Sequence, residues 1–433
     1  MAQLASPCVA ARGLRAALAR GLGAMSEASS ADRVDGHDPV RSSASFVGDV
    51  FLGGFECSSH RTIEGRRLDL IAATKHDELA TEDFARARAM GITTCRDGAP
   101  WVTGEPRDGI FDFARATRTL RAAENNGVSL IWDLMHFGWP DGVDVFSPAF
   151  PARFARYAGA FTRWLTSESD APPMITPVNE MSFLAWAGGD VRFMNPFEAA
   201  RGVELKVQLV RATIEAMEAI RAVAPGARFL QPEPVINIVP PPDRKNLWAR
   251  VESDNLLQYQ AWDMLTGRVW PWLGGGPQYL DVVGVNFYPN NQFTPDGETI
   301  GRDDVRYKPF SKILLDVWHR YERPMLVSET GSEGDERAPW LRYVAGQCIT
   351  AMQKGCELHG ITLYPIVNHP GWADDRHCHN GLWDYADESG ERAVYEPLAE
   401  EMRRQRGRLL AARSHVLDAR PAPLDDEPRA LEA

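Results

Sequence analysis

Short runs of apolar and β-branched residues recur along the chain at Asp49 to Gly54, Ile92 to Arg96, Val128 to Asp133, Met174 to Val178, Ala227 to Gln231, Leu280 to Asn286, Pro324 to Ser328 and Gly360 to Ile366. Runs of this length, bounded by Gly, Pro or charged residues, read as strands buried on both faces. Between them the apolar positions fall three or four apart. Asp112 to Asn126 sets Phe113, Ala116 and Leu120 on one face and stops at Gly127, and Asp254 to Thr266 does the same with Leu257, Trp262 and Leu265. The same period predicts helices at Asp77 to Met90, Ala152 to Leu165, Pro196 to Val223, Val305 to Tyr321, Pro339 to Lys354 and Tyr395 to Leu410. Eight strands alternating with eight helices specify an α/β fold, the (β/α)8 TIM barrel. No Gly-rich phosphate loop follows the first strand to favour a doubly wound sheet.

The two ends break the pattern. Residues 1–45 carry Ala, Arg and Ser with no acidic residue before Glu27, and Arg12, Arg15 and Arg20 interrupt any signal-peptide core. This segment reads as a disordered extension, a transit peptide, or upstream sequence ahead of a true start at Met25. From Ala412, Pro421, Pro423 and Pro428 lie among charges and read as a disordered tail. The barrel domain is therefore expected over residues 46–411, a size at which one core suffices.

Charge and cysteine content narrow the partners. A formal charge of −12 and a pI near 5.4 argue against nucleic acid. The six cysteines show neither metal spacing nor a disulfide framework, which fits free thiols in the cytoplasm, and no membrane partner is expected.

In a (β/α)8 barrel the reactive groups stand just past the strands. Glu180 follows the fourth strand in Met174-Ile-Thr-Pro-Val-Asn179-Glu180, and Glu329 follows the seventh in Pro324-Met-Leu-Val-Ser328-Glu329-Thr330-Gly331. A carboxylate at the end of a buried strand is costly to desolvate, so two of them predict a pair facing one another across the mouth. At about 5 to 5.5 Å apart they would suit a double displacement at a glycosidic bond. Asp374-Asp375-Arg376-His377-Cys378-His379 offers metal-capable groups after the eighth strand. It reads first as a polar substrate loop, leaving no metal or cofactor in the assignment, with a metal-dependent hydrolase using His377 and His379 as the competing reading.

Asn179-Glu180 and Glu329 resemble the acid/base and nucleophile signatures of clan A retaining glycoside hydrolases, and further motifs look most like glycoside hydrolase family 1. Thr94-Cys95-Arg96, Asp133-Leu134-Met135-His136-Phe137-Gly138-Trp139-Pro140, Val285-Asn286-Phe287-Tyr288 and Leu363-Tyr364-Pro365-Ile366-Val367-Asn368-His369-Pro370-Gly371-Trp372 are similar to its motifs on strands two, three, six and eight. There are departures. Met181 stands where the family has Pro, Thr330 where it has Asn, and Gly371 where it commonly has a sugar-holding Glu; its first-strand Gln is missing, with Glu56 and His60 nearby.

The resemblance implies a β-glycosidase acting on a small soluble glycoside without a cofactor. Glu180 would be the general acid and then base, and Glu329 the nucleophile. Arg96 and Tyr288 would hold Glu329, Asn179 the 2-hydroxyl, His136, Glu56 and His60 other hydroxyls, and Trp372 would stack on the sugar. Trp101, Trp139 and Trp383 sit in neighbouring loops as sugar-contact or wall residues. The departures point away from ordinary glucosidase specificity and leave a transglycosidase or a non-hydrolytic sugar-binding barrel as alternatives.

Overall fold

The computed structural model describes residues 45–418, apart from the side chain of Lys245. Eight parallel strands close into a barrel: β1 (Phe51–Gly54), β2 (Thr94–Gly98), β3 (Ser129–Met135), β4 (Met174–Val178), β5 (Arg228–Pro234), β6 (Val282–Asn286), β7 (Met325–Thr330) and β8 (Leu358–Leu363). Each pairs with the next, and β8 pairs with β1. The longer helices around them are α1 (His76–Ala89), α2 (Ala114–Asn125), α3 (Phe150–Glu168), α4 (Met181–Gly189), α5 (Gly202–Val223), α6 (Trp248–Leu256), α7 (Gln260–Leu265), α8 (Phe310–Tyr321), α9 (Arg337–Met352) and α10 (Glu396–Asp418).

The expected barrel is present, with local corrections. The helix expected from Pro196 starts only at Gly202, and α4 is an added helix directly behind Glu180. Asp254 to Thr266 is broken by a 3-10 turn at Leu257–Tyr259. The tail expected from Ala412 is still helix as far as Asp418. Packing explains the extra turns: Val416 and Leu417 are buried, and the Arg413 guanidinium donates to the carbonyls of Asp49 and His359, both at 2.9 Å. The N-terminal extension to residue 44, and the tail beyond residue 418, lie outside the described residues.

Leu52, Ile131, Leu230, Val282 and Leu326 form one cluster drawn from five strands, with Val47 beside it. Side chains from so many strands meet only inside the barrel, where they make an apolar floor. Strand residues two or four apart share a face, so Asp133 lies above Ile131 and Asn286 above Val282. The inward positions thus turn from apolar to polar on rising toward the C-terminal mouth.

Candidate active site at the C-terminal mouth

A bulge in β7 turns Glu329 inward. Val285 pairs with Val327, yet the next residue of β6, Asn286, pairs with Glu329, leaving Ser328 as an extra residue; the β8 side shows the same shift, from Ile361 opposite Val327 to Leu363 opposite Thr330. Leu326 is inward, so an unbroken period of two would turn Glu329 outward. The extra residue places Glu329 on the face of Asn286. Ser328 is held in place, its Oγ donating to Asn286 Oδ1 at 2.6 Å and its carbonyl accepting from Arg96 at 2.9 Å.

Arg96 joins four strand ends. Fully buried on β2, it donates one guanidinium nitrogen to Glu329 Oε1 (2.9 Å) and the other to Asp133 Oδ2 (2.6 Å) and Asn179 Oδ1 (3.1 Å). Tyr288, just past β6, donates its phenol to Glu329 Oε2 at 3.0 Å. The Asn179 amide lies 3.1 Å from His136 Nε2, while His136 Nδ1 is 3.2 Å from Asp133. Glu56 comes within 3.9 Å of His136 and accepts from the Ser58 backbone at 2.9 Å. Cys57, Asp133 and His136 are close enough to share a metal ion. The Arg96 guanidinium already supplies the positive charge at Asp133.

Glu180 has different surroundings. It stands one residue past Asn179 with left-handed backbone, φ 46° and ψ 60°, a conformation that costs a non-glycine residue about 1–2 kcal/mol. Its backbone N–H to Pro232 (3.1 Å) and its place at the start of α4 hold that geometry. The side chain accepts from the Asn286 amide at 2.8 Å. Glu233, on the outward face of β5, accepts from the Ser182 backbone N–H in the first turn of α4 at 3.0 Å, and so braces the helix that follows Glu180.

Charge separates the two mouth carboxyls. Burial, and next the negative Glu329, push the Glu180 carboxyl well above the ordinary carboxylate range. Burial pushes Glu329 up as well, but Arg96 and His136 pull it back. A proton shared by this pair therefore resides on Glu180. Burial lifts Glu233 to about 7 against the pull of Ser182 and Lys206. Burial disfavours the His136 cation, while Asp133, Glu56 and Glu329 raise its pKa. The carboxylates prevail, so the His136 imidazole titrates above its ordinary value, with Nδ1 facing Asp133.

Trp372 is half-buried in an aromatic wall, its ring centroid 4.9 Å from His60 and 5.7 Å from Phe137. Burial, with His136 and Arg67, lowers the His60 imidazole to about 3, so it is neutral. His60 Nδ1 and Trp372 Nε1 are buried in this wall and have no hydrogen-bond partner among the described residues. Trp101, Trp139 and Trp383 are buried as wall packing. The polar loop after β8 does not converge as a whole: Asp375 pairs with Arg66 (3.0 Å) and Arg376 with Glu333 (2.6 Å).

Sequence reasoning named Glu180, Glu329, Asn179, Arg96, His136, Tyr288 and Glu56, and the structure joins them in one network; His60 and Trp372 form an aromatic wall. It gave no role to Asp133 or Asn286, though both stood in quoted motifs, and it missed Ser328 and Glu233. Glu233 obeys the same strand-end rule as Glu180. It was hidden because β5 was expected to stop at Gln231 and runs on to Pro234.

The fold and the site together define a (β/α)8 barrel with an unlike pair of buried carboxyls at its mouth. Its fold is that of the family 1 β-glucosidases. A family 1 β-glucosidase from Thermotoga maritima superposes with a TM-score of 0.68 at 16% identity, over 83% of this chain and 98% of that one. The enzyme AHE from Alicyclobacillus herbarius gives 0.67 at 16%, covering 86% and 100%. A β-glycosidase, BGL167, gives 0.60 at 20%, covering 78% and 87%. No family model and no curated protein matches the sequence. Among the described residues, no helix is long and apolar enough to cross a membrane.

Proposed function

We propose that this chain is a retaining β-glycosidase that hydrolyses a small soluble glycoside in the cytoplasm. The observation that carries the reading is the contrast between the two mouth carboxyls, one beside a guanidinium and one beside an amide and a second negative charge. Glu329, kept ionised by Arg96 and Tyr288, attacks the anomeric carbon while Glu180 gives its proton to the departing glycosidic oxygen. The C–O bond to the aglycone breaks as the bond to Glu329 forms. With Glu329 esterified, the charge that raised Glu180 is gone, and Glu180 accepts a proton from water as that water displaces Glu329. Asn179 retains an amide hydrogen for the sugar, and Trp372 offers it a ring edge or face. The cytoplasmic assignment is supported by Cys57, Cys95, Cys348, Cys356 and Cys378, all free and buried.

Turnover of aryl β-glycosides by Glu329→Ala and Glu180→Ala tests the roles. Both should lose activity, and added azide should give the α-glycosyl azide with the first and the β-glycosyl azide with the second. Undiminished turnover in either variant would refute the mechanism, and sugar affinity without turnover in the unaltered protein would identify a binding barrel.

A further inference from the structure

The segment after β8 folds into two small hairpins. His369–Pro370 pairs antiparallel with His377–Cys378, and Trp383–Ala386 pairs with Arg392–Val394. The turn of the first hairpin presents Trp372. His377 and His379, two residues apart, emerge on one side of its returning strand. Their rings stack with centroids 4.2 Å apart at 12°, and Tyr385 closes the other side of His377 edge-on, also at 4.2 Å. Asp384, from the second hairpin, meets His377 Nε2 at 2.8 Å.

We propose that His377, His379 and Asp384 form a divalent-metal site, best matched to Zn2+, which ties the Trp372 hairpin to its neighbour. One ligand atom from each residue lies within 4.8 Å of the others. Ligands at 2.0–2.2 Å in tetrahedral geometry stand about 3.3–3.5 Å apart, so the site closes when the two imidazoles rotate out of their stack to aim at one point. Two imidazoles and one carboxylate suit Zn2+ among the first-row ions. The fourth position faces solvent, since His377 and Asp384 are 41% and 39% exposed.

The carboxylate is oriented as a metal ligand usually is, by its own hydrogen bonds. Asn368 Nδ2 (2.9 Å), the Tyr385 backbone N–H (2.7 Å) and His377 all use Asp384 Oδ1, and Oδ2 takes part in none of these contacts. Asn368 in turn accepts from Gly381 N–H at 2.7 Å, which anchors the ligand to the chain leaving β8. None of these residues hydrogen-bonds to the Glu180 and Glu329 network. The ion would therefore act as a brace for the Trp372 hairpin, separate from the carboxylate chemistry, and the proposal stands whether or not the glycosidase reading does.

Zn2+ titrated calorimetrically into the full, untagged, chelator-stripped chain at neutral pH should bind one equivalent with micromolar affinity. His377→Ala, His379→Ala and Asp384→Asn should each weaken binding by at least about tenfold. Because the three side chains are exposed or half-exposed, circular dichroism of the variants should match the parent. Co2+ substitution should give a visible spectrum of nitrogen and oxygen ligation. No measurable binding, binding unchanged in the His377→Ala/His379→Ala double variant, or a thiolate-to-Co2+ band abolished by Cys57→Ser would each overturn the proposal.

Discussion

Two buried ionic clusters flank β2, and they are built to opposite ends. On the outward face, His76 lies 2.9 Å from both Asp83 and Asp97, Asp83 also receives Arg392 at 2.7 Å and Arg86 at 3.0 Å, and the imidazole stacks on Phe55. On the inward face, one residue away, Arg96 serves Glu329 and Asp133 together, while Glu180 has the Asn286 amide and a negative neighbour. The outer cluster closes its charges on one another and fastens α1 and the last hairpin to the barrel. The inner cluster leaves a proton and a negative charge exposed to whatever enters the mouth. Both are buried, so burial alone does not distinguish them; incomplete charge pairing does.

Removing the cation from each cluster separates these roles. Arg96→Met leaves two buried carboxylates without their cation, and it should lower unfolding free energy by about 3–5 kcal/mol. On the glycosidase reading it should also cut kcat/KM by about a thousandfold or more, because Glu329 would be protonated and misplaced. Denaturant unfolding and aryl-glycoside kinetics measure the two losses. A stable variant with undiminished kinetics would break the comparison from the inner side.

The outer cluster should fail in stability only. Burial by itself would lower the His76 pKa, but Asp97 and Asp83 raise it to about 9. A folded-state value above the unfolded value of about 6.5 means the stabilisation is complete below pH 6.5 and fades as pH rises through 9, a change of about 3 kcal/mol. His76→Leu should therefore be destabilised most at pH 6, approach the parent above pH 9, and keep its kcat/KM per folded molecule. A stability difference independent of pH would show that His76 is held neutral.

Tyr288→Phe removes one hydrogen bond to an ionised carboxylate and no charge. At about 1.5–3 kcal/mol for such a bond, kcat/KM should fall by roughly ten- to hundredfold, with stability little altered. The phenol's contact with Glu329 is the one removed. An equal loss of folding free energy would make Tyr288 a packing residue.

The outer cluster was illegible in sequence because His76, Asp83, Asp97 and Arg392 carry no shared spacing and meet only through tertiary packing. The barrel was legible because strand runs such as Met174 to Val178 are apolar or β-branched, as burial on both faces favours. Glu180 and Glu329 were found because each closes such a run. What made Glu329 point inward, the extra residue Ser328, leaves no mark in composition, since a bulge is a property of pairing between strands. The same limit hid Glu233: its strand ends in Pro232-Glu233-Pro234, and prolines read as a stop although β5 continues through them.

Glu233 supplies the finest test of the contrast between closed and open charge. It is fully buried behind Glu180, it accepts from the first turn of α4, and it ionises near pH 7. Its negative form raises Glu180 further, so ionisation of Glu233 should extend the pH range over which Glu180 holds its proton. Glu233→Gln keeps the acceptor toward Ser182 and removes the charge. Below pH 7 the two kcat/KM profiles should therefore nearly superimpose, because a protonated Glu and a Gln are both neutral. Above pH 7 the variant should fall first, its alkaline limb displaced to lower pH, with a change at neutrality under about tenfold. A uniform drop at every pH would instead mean that Glu233 acts only by holding α4 in place.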